Sequence, residues 1–77
     1  MAMTEIRTYW IENKDHVPTI QDVEEAFKLV SENDIIVELN WFFPYSGEHS
    51  RTVTKSIVES MTPQEYFDNV IPHTYSV

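Results

Sequence analysis

Nine residues near the middle of the chain constrain its fold more than any other stretch. From Ile35 to Phe43, the side chains of Ile35, Val37, Leu39, Trp41 and Phe43 alternate with those of Ile36, Glu38, Asn40 and Phe42. A period of two belongs to a β-strand, so the first set points into a core and the second points away from it. This reads as the central strand of a sheet. In a chain of 77 residues without cysteine, no disulfide or thiolate metal site can staple the fold. Stability must then come from tight packing or from another subunit.

The flanking segments supply the rest of the architecture. Glu5 to Glu12 is rich in β-branched and aromatic residues, with Ile6, Thr8 and Trp10 on one side and Arg7, Tyr9 and Ile11 on the other, and predicts a first strand. Asn13 to His16 is a polar turn, and Pro18 introduces a helix. Thr19 is its N-cap, Asp22 follows three residues later, and Glu24 and Glu25 place negative charge in the early turns. Ile20, Val23, Phe27 and Val30 recur at three- and four-residue steps, Ala26 and Leu29 widen the stripe, and Asn33 is the expected left-handed stop. Pro44 to Ser50 contains Gly47, the only glycine, and predicts a hairpin loop. Arg51 to Val58 then predicts a third strand antiparallel to the central one, at an edge because Lys55 falls on the Val53 side. Thr62-Pro63-Gln64-Glu65 marks a second helix with an apolar face at Tyr66, Phe67, Val70 and Ile71, ending at Pro72 and leaving His73 to Val77 as a tail. The expected fold class is α+β: a β-α-β-β-α two-layer sandwich, one domain over 1–77, with a three-stranded sheet and two helices packed on one face.

Charge narrows the partners. Thirteen acidic residues against five basic ones give a formal net charge of −8, which opposes approach to phosphate backbones and anionic lipid. Neither direct nucleic-acid binding nor membrane binding is expected. Ile, Leu, Val and Phe are 21 of the 77 residues, enough to fold rather than remain disordered. The apolar runs fall short of a membrane span, and Met1 to Glu5 lacks the basic-then-apolar pattern of a leader, so a cytoplasmic chain is expected.

Residues that could carry chemistry are thinly spread. His16, His49 and His73 fall in a turn, a loop and a tail, with no two at the i, i+4 spacing of a helical zinc site. Glu48 beside His49, with Ser46 and Ser50 nearby, has the residue types of an acid–base pair, but neighbours in a loop lack groups to hold them in place. Asn13, Asp15 and Asp34 lack calcium-loop spacing, and no glycine-rich phosphate cradle is present. The expectation is a non-enzymatic protein with no catalytic residues, no cofactor and no metal.

Two surface features remain. In Trp41-Phe42-Phe43-Pro44-Tyr45, alternation cannot send every aromatic ring into one core, so Phe42 joins Ile36 on the face that neither helix covers, with Tyr9 and Val58 as further candidates there. A patch of this kind marks a contact surface, and Ile36, Trp41, Phe42, Phe43 and Tyr45 are the candidate interface residues. The bland reading is a set of scattered rings shielded by Glu38, Asn40 and nearby threonines. The second feature is acidic: Asp22, Glu24, Glu25, Glu32, Asp34 and Glu38 lie within 17 residues whose only basic member is Lys28. Its ordinary explanation is a solvated face; its sharper one is a decoy whose carboxylates occupy the groove of a basic nucleic-acid-binding protein. The functional expectation is a protein-interaction module of the kind found among short bacterial or phage accessory proteins, its partner being a second copy in a homodimer or higher oligomer.

Overall fold

In a computed structural model of the chain, residues 5–12, 17–44 and 47–71 are described. The elements run β1 (Ile6–Ile11), α1 (Ile20–Asn33), β2 (Ile36–Phe43), β3 (Gly47–Val53), α2 (Lys55–Ser60) and α3 (Pro63–Asn69). The strands form one mixed sheet in the order β1-β2-β3. β1 runs parallel to β2, with Ile6 opposite Ile36 and Trp10 opposite Asn40, whereas β3 runs antiparallel, with Val53 opposite Val37 and Glu48 opposite Phe42. The alternating stretch is thus the central strand, and the fold is a small α+β structure.

Both long helix starts form for the reason their sequences suggest. The Asp22 N–H donates to Thr19 Oγ1 at 3.3 Å and the Thr19 N–H donates back to Asp22 Oδ2 at 2.8 Å, closing a capping box on α1. Thr62 and Glu65 repeat the arrangement on α3 at 3.1 and 2.9 Å, with Pro63 in the first turn. Each box satisfies main-chain donors that a helix start otherwise leaves unpaired. Val23, Ala26, Phe27 and Val30 of α1 and Tyr66 of α3 pack with Val37, Leu39, Trp41 and Val53 of the sheet in a single core. Phe27 meets Tyr66 edge to face, with ring centroids 5.6 Å apart. The Tyr66 hydroxyl donates to the Thr52 carbonyl at 2.8 Å and Arg51 Nε donates to the Val70 carbonyl at 3.1 Å, so α3 is bolted to β3.

The second hairpin strand departs from expectation. It begins at Gly47, inside the expected loop, and ends at Val53 rather than Val58. From Thr54 the chain turns into an additional helix, α2, because the Thr54 hydroxyl accepts the Ile57 N–H at 3.3 Å and the Val58 N–H donates to the Thr54 carbonyl at 3.0 Å. Ile57 and Val58 then both pack against the core, which adjacent strand residues on opposite faces could not do. Lys55 therefore leads a helix instead of lining a strand, and its Nζ sits 3.3 Å from Asp34 Oδ1. β3 is an edge strand even so. The left-handed stop after α1 falls on Asp34 (φ 54°), one residue beyond Asn33. The expected turn at Asn13 to His16, along with Tyr45, Ser46, Pro72 and the tail, lies outside the described residues.

Candidate interaction surface

All the buried side chains of β2 point toward the helices, and the opposite face of the sheet carries no helix among the described residues. On that outer face β1 presents Ile6, Thr8 and Trp10, β2 presents Ile36, Glu38, Asn40 and Phe42, and β3 presents Glu48, Ser50 and Thr52, as the pairing registers require. Ile6 is 60 % exposed, and Trp10 and Phe42 are 54 % exposed. Two apolar corners result, one where Ile6 pairs with Ile36 and one where Trp10 and Phe42 lie diagonally across adjacent strands. Between them, Glu38 Oε1 accepts the Asn40 Nδ2–H at 3.0 Å and the Thr8 hydroxyl at 3.4 Å. The carboxylate is thereby held in a fixed position between the two apolar corners, while the β3 side of the face, Glu48, Ser50 and Thr52, is polar.

The candidate interface residues separate accordingly. Ile36 and Phe42 lie on the outer face. Trp41 does not: it is fully buried on the helix side, stacked on His49 at 5.6 Å with the Arg51 guanidinium 6.0 Å from its ring centroid. Phe43 is half-buried on the helix side, and Tyr45 lies outside the described residues. Tyr9 belongs to the helix side, opposite Leu39, and Val58 to α2, so neither joins the outer face. Ile6 and Trp10 take their place. The missing information was nonlocal: both sides of the Glu5 to Glu12 stretch are comparably apolar, and only the parallel register with β2 decides which one faces out.

The six clustered carboxylates do not make one face. Asp22 is engaged in the α1 capping box, Asp34 pairs with Lys55, and Glu38 lies on the outer face, with the sheet between it and α1. Glu24, Glu25 and Glu32 remain as an exposed helix surface. Because α1 lies over β2 more than over β1, a cleft of about 190 Å³ opens beside Tyr9, walled by Ile11, Leu29 and Leu39 with Asp22 and Glu25 alongside.

Glu48 and His49 occupy opposite faces of β3, so the two cannot act on one proton. His16 and His73 lie outside the described residues. Among the described residues, no three His, Asp or Glu side chains come together to hold a metal ion, and no helix is long and apolar enough to cross a membrane. Compared with protein families, curated proteins and solved structures, the chain matches none significantly.

Proposed function

We propose that this chain is a non-enzymatic protein-interaction module that makes contact through the outer face of its sheet and associates with itself. One observation carries the reading: three large apolar side chains, Ile6, Trp10 and Phe42, are each more than half exposed on the single sheet face that the described helices leave open. Burying what remains exposed of such a side chain, a little over half of it, is worth roughly 1–2 kcal/mol each, a useful gain for a chain whose own core is small. The ordered Glu38, Thr8 and Asn40 group at its centre would select among partners, because covering it with apolar surface strips water from a carboxylate whose donors here are two neutral groups and which gains no opposite charge. The decoy reading draws less support from the geometry, since three of its six carboxylates already have partners elsewhere.

Light scattering over a concentration series tests the proposal. The mass should rise above 9.1 kDa with concentration, and a variant combining Ile6→Thr, Trp10→Thr and Phe42→Thr should stay at the monomer mass while retaining its circular dichroism. A folded triple variant that associates as the wild type does would refute it.

A further inference from the structure

The main chain of β1 points to how two copies would meet. The Ile36 N–H donates to the Glu5 carbonyl at 2.9 Å, in a parallel ladder where Ile6 is the partner of Ile36. Main-chain groups of successive strand residues point to alternate edges, so Arg7, Tyr9 and Ile11 bond to β2. The N–H and C=O groups of Ile6, Thr8 and Trp10 point the other way, along an edge that no described strand occupies. Water can satisfy such exposed groups, but a regular, proline-free edge also offers them to another strand.

We propose that two copies of this chain pair antiparallel along β1, Thr8 opposite Thr8 and Ile6 opposite Trp10, joining their three-stranded sheets into one. The proposal rests on the self-association read above and places its contact at the β1 margin of the outer face, where Ile6 and Trp10 lie; Phe42 of β2 stays open on the joined sheet. A two-fold axis normal to the sheet is the symmetry that brings one edge to itself with both outer faces on the same side, and it permits only registers that pair residues of like facing. Among these, centring on Thr8 makes all three outward-pointing residues hydrogen-bonded pairs, each exchanging both N–H···O bonds. It also sets the exposed Ile6 against the exposed Trp10 of the second copy twice over, an aromatic-on-β-branched pair of the favourable kind.

Charge permits the same seam. The molecule carries −8, yet the span that pairs, Glu5 to Ile11, contains one acidic residue, Glu5, and one basic residue, Arg7, already paired at 3.1 Å, with Glu12 just beyond it. The other edge strand, β3, is formally neutral too, with Glu48 against Arg51, but it is tied to α3, since its Thr52 carbonyl accepts the Tyr66 hydroxyl and Arg51 donates to the Val70 carbonyl.

Amide hydrogen exchange tests the seam in the unmodified protein. From roughly 10 µM to roughly 1 mM, the Ile6, Thr8 and Trp10 amides should gain protection at least about tenfold more than the Arg7 and Tyr9 amides, which bond within the sheet at every concentration. Thr8→Pro is the complementary variant, since proline there removes an N–H that β2 does not use and is compatible with an edge strand. It should keep the fold and weaken association roughly thirtyfold or more. Equal protection of both sets of amides in a sample that does associate would overturn the edge pairing. So would a folded Thr8→Pro that still associates while the triple outer-face variant does not, and in that case the contact-face reading stands. A chain monomeric throughout the range overturns both.

Discussion

Tyr66 concentrates several consequences in one side chain. It is fully buried against Phe27, and its hydroxyl has one acceptor, the Thr52 carbonyl. Burial pushes its phenol from the ordinary 10.0 up to about 12, with the nearby Arg51 charge acting weakly in the opposite direction. The folded state therefore holds this proton after the unfolded chain has lost it. The stabilisation is complete below pH 10 and is progressively lost as pH climbs from 10 through about 12. Ultraviolet titration should show one of the four tyrosines ionising late, together with falling stability in that window. Tyr66→Phe should abolish the late step, flatten this alkaline loss, and cost about 1 kcal/mol at neutral pH through the orphaned carbonyl, measured by urea unfolding.

Among the elements, the junction after α1 is the most informative. Asp34 sits in the left-handed region (φ 54°, ψ 48°) and its N–H closes on the Val30 carbonyl. An L-residue there carries steric strain that glycine lacks, while its ion pair with Lys55 is exposed and worth little. Asp34→Gly should thus be more stable than Asp34→Ala by about 1 kcal/mol, a difference of roughly 4–8 °C in melting temperature. β2, α1 and α3 were legible because a clean period and a cap agreed in each. The stretch from Gly47 to Ser60 was not, because Glu48 to Thr52 is polar throughout and the adjacent Ile57 and Val58 suit a helix turn as well as a strand. Thr54 was the available signal, a capping hydroxyl three residues ahead of Ile57. On the outer face, Ile36 and Phe42 follow from alternation in one strand, but Ile6 and Trp10 required the register between two strands far apart in sequence.

For the molecule as a whole, two opposing terms would govern the proposed association. The exposed apolar residues and the β1 main-chain groups that no described strand takes up would favour a second copy, whereas −8 on each copy repels it. The repulsion is long-ranged and screened by salt; hydrogen bonds at a neutral seam and apolar burial are not weakened in that way. Complexes held by charge attraction, as a decoy on a basic protein would be, respond with the opposite sign. Sedimentation equilibrium over a concentration series, at roughly 50 mM and roughly 1 M sodium chloride, separates these behaviours directly. The predicted result is a mass that climbs from 9.1 kDa toward twice that value, at lower protein concentration in the higher salt. A single 9.1 kDa species under every condition, or an oligomer that dissociates as salt is raised, would contradict it.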